Sequence, residues 1–490
     1  MSDAPVPHDL PPGELFYGGE WHQPLSGETM PDINPATEAE FYRVAKGGAE
    51  DVDRVVESAR EALTGPWSQM TAGERGKLVY KLAEAIDSNA DELARLESLD
   101  CGKPVREARY VDVPLVADIF RYYAGWATKV HGETLPARPD AFCFTLREPV
   151  GVVAGIVPWN FPLLLSSWKI APALALGNTF ILKPASNTPL TALKLAALSA
   201  EVGLPPGVFN VVTGGGSTLG AALVHHPGID KIAFTGSTEV GKWIQREAAS
   251  TLKRVTLELG GKSPNIVLRD ADLDAAARGA VNAIFYNKGE VCAAGSRLLV
   301  HEAVHDELME RVVARAEKMA LGQGNPLDPK TRLGPQISED HMQSVLRFIS
   351  RGIEEGATLA AGGERNTAPG KGYFIKPTVF TDVQPDHTIA REEIFGPVVA
   401  TLRFSDEEEA IRLGNQSMYG LAAGIWTRDI SKALKLAKAI KAGTVWVNTY
   451  NMYDPAMPFG GYKASGFGRE LGARALESYT ESKSVWVALD

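Results

Sequence analysis

Cysteine is scarce. The chain has three, at positions 101, 143 and 292, in 490 residues. The count is odd and the spacings are wide. This argues against a disulfide framework or a zinc cluster and favours a reducing, cytoplasmic setting. No metal site is predicted. Basic residues hold no surplus: 50 Lys and Arg stand against 60 Asp and Glu, a formal charge of −10, with the signs mixed along the chain. A nucleic acid or an anionic membrane is therefore a poor partner. Long apolar runs are absent too. The most apolar stretch, Phe161 to Leu176, is interrupted by Lys169 and Pro172, so no segment reads as membrane-spanning. The opening MSDAPVPHDLPPG has neither the basic start nor the apolar centre of a signal peptide, and its prolines suggest a loose arm. No internal repeat stands out.

What is present is a globular composition, 44% hydrophobic, in a chain long enough for two or three domains. Residues from about 50 to 130 carry apolar positions at helix spacing, as at Leu78, Leu82, Ala85 and Ile86. From Pro149 short apolar runs alternate with helical ones. VGVVAGIV, NTFILKPA, GVFNVV, DKIAFTG and RVTLELGG read as strands, with TPLTALKLAALSAEVG among the helices. Such alternation predicts an α/β fold with a parallel sheet covered on both faces. A second series begins at PNIVL and continues through RLLV, VVATLRF, LAAGIWT and GTVWVN. FCFTLRE and the C-terminal SVWVALD fit neither series. They alternate like half-exposed edge strands, which pair with each other or with a second subunit.

Four segments carry candidate chemistry. In YNKGEVCAAGS, Cys292 follows Gly289 and lies between the small Val291 and Ala293, an accessible turn for a nucleophile; a buried small hydrophobe is the alternative. In VTLELGGKSPN, Glu258 interrupts an apolar strand. It is either a surface-facing residue of an alternating strand or a carboxyl of raised pKa fit to accept a proton. In PWNFP, Asn160 stands where open α/β sheets bind ligands. Its amide would donate to an oxyanion, or else cap the next helix. In FTGSTEVG, Gly236 and Ser237 join a strand to a helix start, a seat for pyrophosphate. GGGSTLG, residues 214–220, imitates the dinucleotide fingerprint with one residue too many before its last glycine, and by itself carries no cofactor.

PWNFP, ILKPAS, FTGSTEVG, LELGGKSP, GEVCAAGSR, EEIFGPV and PFGGYKASGFGRELG, in this order, resemble the aldehyde dehydrogenase superfamily. The likeness runs from about Phe16 onward and is greatest to the broad-substrate classes that include retinal, mitochondrial and betaine aldehyde dehydrogenases. It implies NAD(P)-dependent oxidation of an aldehyde to a carboxylic acid through a cysteine thiohemiacetal and thioester. Cys292 matches the family nucleophile, Glu258 the base, and Asn160 with the Cys292 N–H the oxyanion hole. Lys169 and Glu470 match a proton-relay pair. Lys183, Ser186, Gly216 and Gly220 match the adenosine side of the cofactor site. Pro158, Trp159, Gly236 and Ser237 match its pyrophosphate seat, and Glu393 and Phe395 its nicotinamide-ribose clamp. Phe161, Trp168, Tyr286, Tyr453 and Phe459 align with the substrate tunnel, with the acidic Glu290 and Asp454 expected near it.

The resemblance also implies an organisation. Residues 1–125 and 150–260 would form a Rossmann-type cofactor domain, and 261–463 an α/β catalytic domain. Residues 126–149 and 464–490 would form a small β element that builds a homodimer or homotetramer. Two departures bear on detail. Ser186 stands where many NAD-preferring members have Glu, which predicts that NADP is accepted beside NAD. Val291 replaces a frequent Cys beside the nucleophile. Two rival readings differ in chemistry. A CoA-acylating relative would lack the base, and a crystallin-like protein would not need the nucleophile; Glu258 and Cys292 speak against them.

Overall fold

The computed structural model describes residues 10–489. The first nine residues of the expected N-terminal arm lie outside that range. Two large sheets organise the rest. The first has eight strands in the order Glu20–His22, Leu15–Tyr17, Phe209–Val211, Thr179–Lys183, Val152–Ile156, Lys231–Thr235, Arg254–Glu258 and Gly466–Phe467. The strands from Phe209–Val211 to Arg254–Glu258 run parallel. Their order in the chain is third, second, first, fourth, fifth, the doubly wound arrangement. Its order reverses between Val152–Ile156 and Lys231–Thr235, so the crevice for a ligand opens just beyond Ile156 and Thr235.

Period-two alternation explains why these strands read as continuous apolar runs. Val153, Phe180, Leu182, Phe209 and Val211 pack into one core. Val152, Ala154, Ile181, Ile232, Phe234 and Leu257 pack into another on the opposite face. The helix Pro162–Ala175 is buried along its whole length. That burial accounts for the apolar Phe161–Leu176 stretch, with Lys169 kept inside by partners described below. Among the described residues no helix is long and apolar enough to cross a membrane.

The second sheet has seven strands, ordered Thr358–Ala361, Thr378–Thr381, Val398–Phe404, Arg297–His301, Pro264–Val267, Ala422–Trp426 and Thr444–Val447. All but the first pairing are parallel. The chain leaves the first sheet at Glu258 and enters the second at Pro264. The C-terminal strand ends of one sheet therefore face the N-terminal strand ends of the other, and Cys292, Glu393 and Phe395 all precede second-sheet strands. The two orphan segments do pair: Thr480–Ala488 lies antiparallel to Ala141–Pro149, which also pairs with Thr134–Leu135.

Candidate active site

Pro158, Trp159 and Asn160 follow the first crevice strand, and Gly236 and Ser237 follow its neighbour. Ser237 caps the helix Thr238–Ala248, its hydroxyl accepting the Val240 N–H at 3.3 Å. These residues line a cavity of about 250 Å³ together with Leu259, Gly260, Cys292, His341, Glu393 and Phe395. Glycine is needed at two points of its floor. A Cβ on Gly260 would stand 2.9 Å from the Glu393 carboxyl carbon, and one on Gly261 would overlap the Cys292 carbonyl. With no side chain there, the Gly261 N–H donates to Glu393 at 3.0 Å.

Cys292 sits on a strained loop after the helix Leu273–Phe285. Asn287, Lys288 and Gly289 take φ values of 43, 64 and 80° in succession, left-handed backbone that only Gly adopts freely. Two non-glycine residues there cost about 1–3 kcal/mol each and need partners to hold them. Those partners are present. The Asn287 N–H donates to the Glu107 carboxylate at 3.1 Å, and its amide donates to the Asn160 carbonyl at 2.7 Å. The Lys288 ammonium reaches the Cys101 carbonyl at 2.5 Å and the Glu290 carboxylate at 2.8 Å. Glu290 is wholly buried and also accepts the Ile337 N–H at 2.9 Å. Its carboxylate thus serves the loop and does not face the ring-lined side, contrary to the sequence expectation; Asp454 does line the cavity there.

The thiol of Cys292 is free and half-buried, and burial together with the neighbouring Glu393 and Glu258 carboxyls pushes it up to about 12. It therefore reacts only if something takes its proton. Glu258 ends its strand with only 4% exposure, so it is not a surface residue of an alternating strand. Burial, then the like charge of Glu470, raises its carboxyl well above the usual range, while Lys169 and Arg469 pull it down. One of its oxygens has no hydrogen-bond partner. Lys169 pairs with Glu470 at 2.6 Å and donates to the Thr235 hydroxyl at 2.7 Å. Asn160 does not cap the next helix, whose cap is Phe161. Its amide donates one hydrogen to the Glu290 carbonyl at 2.9 Å, which leaves the second for another acceptor.

On the far side of Cys292 the five predicted rings fall into two groups. Trp168, Tyr453 and Phe459 pack with centroids 5.2–6.1 Å apart, and Phe161 stacks on Tyr286 at 6.0 Å. Burial raises the Tyr453 phenol well above its usual range, and the nearby Cys292 adds to it. Tyr453 and Phe459 also line an outer cavity of about 430 Å³ with Trp446, Met452 and Met457. Lys183 and Ser186, at and after the end of Thr179–Lys183, and Gly216 and Gly220, after Phe209–Val211, stand apart from both cavities. Lys183 is buried, lowered by that burial to about 8, and donates to the Pro184 carbonyl at 3.0 Å. Gly220 lies against its side chain, while a Cβ on Gly216 would meet open space. Ser186 donates its hydroxyl proton to the Gly214 carbonyl at 3.0 Å. That proton is not available to a phosphate, so the absence of a carboxylate is what remains of the argument for NADP.

Sequence reasoning missed several neighbours. His341 packs edge-on against Trp159, with centroids 5.1 Å apart, and its Nε2 lies 2.7 Å from the Phe395 carbonyl. Tyr450 donates to the Ala293 carbonyl at 2.8 Å, bracing the segment after Cys292. The Asn-Lys-Gly run after a helix was a turn signal that could have exposed the strained loop. His341 carried no signal, because only folding brings its helix to the cleft.

A doubly wound sheet opening onto this cleft is the arrangement of a dinucleotide-binding protein. The aldehyde dehydrogenase family model matches residues 21–485. The chain is 51% identical over 490 residues to mitochondrial aldehyde dehydrogenase of Homo sapiens, covering 99% of this chain and 94% of that protein. Retinal dehydrogenase 2 of Homo sapiens is 49% identical over 490 residues, at 99% and 94% coverage. A solved NAD+ complex of aldehyde dehydrogenase from Bacillus cereus superposes with a TM-score of 0.96 at 50% identity, covering 99% and 97% of the two chains. The chain belongs to the aldehyde dehydrogenase family. It is an enzyme that oxidises aldehydes to carboxylic acids with NAD as cofactor.

Proposed function

We propose that Cys292 carries this oxidation as a covalent nucleophile, with Glu258 as base and Asn160 as oxyanion donor. The observation that supports the reading is the position of Cys292, between a cavity at the nucleotide crevice and a wall of rings, with buried carboxyls beside it. The thiol loses its proton to solvent, the Cys292 thiolate sulfur bonds to the aldehyde carbon, and the carbonyl π electrons move to oxygen. The second Asn160 N–H and the Cys292 backbone N–H hold that oxyanion. NAD, when bound, supplies the acceptor for the hydride that leaves the carbon and so turns the thiohemiacetal into a thioester. Glu258 then takes a proton from water, water oxygen bonds to the acyl carbon, and the C–S bond breaks to free the acid. Lys169 and Glu470 stabilise and relay the proton that Glu258 holds.

The residues present fit a dinucleotide. The start of the Thr238–Ala248 helix, with Ser237, Gly236, Pro158 and Trp159, suits the pyrophosphate. Lys183, Ser186, Gly216 and Gly220 suit the adenosine, and Glu393 with Phe395 the nicotinamide ribose. NADP is accepted as well. Phe161, Trp168, Tyr286, Tyr453 and Phe459 bind the aldehyde. The enzyme is cytoplasmic and forms a homodimer or homotetramer through the Ala141–Pro149 and Thr480–Ala488 strands, whose outer residues Phe142, Leu146, Trp486 and Val487 are exposed. Residues 1–125 with 150–260, 261–463, and 126–149 with 464–490 are its cofactor, catalytic and oligomerisation parts.

Stopped-flow measurement tests the roles. Cys292→Ala should abolish NADH formation. Glu258→Gln should leave a burst and then little turnover, because deacylation fails while hydride transfer survives. Steady turnover near wild type in Glu258→Gln would remove that residue from the mechanism.

A further inference from the structure

Beneath the ring wall lies a wholly buried ammonium that the mechanism does not use. Lys103 is 0% exposed. Its Nζ pairs with Glu97 at 2.6 Å and with Asp112, and stands 4.2 Å from the centre of the Phe161 ring. Each partner leads to the site. Asp112 accepts the Tyr286 hydroxyl at 3.0 Å. Glu97 accepts the Leu163 N–H at 3.4 Å, in the first turn of the helix that carries Trp168 and Lys169. Phe161 itself stacks on Tyr286. One charge thus touches one ring directly and holds the other through a carboxylate. Buried ion pairs gain little stability over well-packed apolar side chains. What this one supplies is direction. A cation attracted to a ring face and a carboxylate aimed at a phenol fix two ring planes that packing alone would leave free to tilt.

We propose that Lys103 is a positioning residue for aldehyde selectivity: through Asp112 and the face of Phe161 it holds the Phe161–Tyr286 wall in register for flat, bulky aldehydes. The inference rests on the reading of those two rings as the aldehyde wall. A small aldehyde such as acetaldehyde does not reach across the wall and is indifferent to it. The cofactor crevice lies on the other side of Cys292 and is indifferent too.

The test compares benzaldehyde with acetaldehyde. Phe161→Ala and Tyr286→Ala first check the wall: each should raise the benzaldehyde KM about tenfold. If neither does, the rings do not bind aldehyde, and that reading falls together with the inference. Tyr286→Phe keeps the ring and cuts only its tie to Asp112. It should raise the benzaldehyde KM about fivefold, with the Kd for NAD+ within about twofold of wild type; acetaldehyde kcat is read in Lys103→Met, which keeps both rings, and should stay within about twofold. Lys103→Met should raise it at least as much, and the double variant should be no worse than Lys103→Met alone, because loss of the lysine already slackens the Tyr286 tie. Lys103→Arg, which keeps the charge, should recover part of the loss. Where Lys103→Met fails to fold, Tyr286→Phe and Lys103→Arg decide. A wall that matters in the alanine variants, with an unchanged benzaldehyde KM in Tyr286→Phe, would overturn the inference alone. So would strictly additive losses, or NAD+ affinity lost in step with aldehyde affinity.

Discussion

Replacing Gly260 by alanine is a small change with a directed effect. Its backbone suits alanine, since its φ lies outside the left-handed range, so the cost is purely spatial. The new methyl would stand 2.9 Å from the Glu393 carboxyl carbon and closer still to one oxygen. Glu393 must swing away and give up the 3.0 Å hydrogen bond from the Gly261 N–H. A hydrogen bond to a charged group contributes about 1.5–3 kcal/mol. At about 1.4 kcal/mol per factor of ten, kcat/KM for NAD should fall by about 10- to 150-fold. The assay belongs above pH 8, because burial raises Glu393 to about 7 and only the ionised form makes the strong bond. The same preparation should still hydrolyse 4-nitrophenyl acetate without NAD, within about threefold of wild type, since that reaction needs the thiol and not the clamp. An unchanged KM for NAD would refute both the steric argument and the assignment of Glu393 to the cofactor.

Three further outcomes are expected. Ser186→Glu should lower kcat/KM for NADP+ about tenfold or more, with a smaller effect on NAD+, as two negative groups meet; wild type inactive with NADP+ would show that another residue discriminates. Deleting residues 482–490 strips the outer strand from Ala141–Pro149 and should yield monomers or aggregate, and a truncated protein of native mass in light scattering would contradict the proposed interface. Glu107, half-buried beneath the Cys292 loop, is raised from 4.5 to about 8, chiefly by desolvation. Between those pH values the folded chain keeps a proton that the unfolded chain has lost, so its contribution to stability falls as pH rises, by up to about 1.4 kcal/mol per pH unit. Glu107→Gln should therefore flatten the decline of Tm from pH 5 to 8; an unaltered slope in calorimetry would count against it.

Much of this was legible in the sequence because local pattern and global fold agree. The five parallel strands each announce themselves as short apolar runs, and the residues just past their ends are where a doubly wound sheet places ligands. Asn160 and Ser237 could thus be located without coordinates. Glu290 shows the limit. Two residues before Cys292, it was expected near the tunnel, yet the left-handed turn at 287–289 points its carboxylate inward to Lys288. A reversal of side-chain direction by backbone strain leaves no periodic trace. His341, Glu107 and Lys103 were likewise invisible, since their partners lie 54, 180 and up to 58 positions away and only packing selects them. The uncharged character of Ser186 was readable, but the commitment of its proton to Gly214 was not.

The placement of Cys292 in the crevice cavity, close to the ring wall, has a consequence for how such an enzyme can change. The residues proposed to hold the cofactor come from strand ends of the first sheet and from Glu393 and Phe395 before the second, and none of the five rings lines the crevice cavity. Mutations that retune what arrives from one direction leave the other approach untouched. A lineage, or a laboratory library, can therefore drift through new aldehydes while redox coupling stays under unbroken selection. The sulfur is the one point where the two histories must agree.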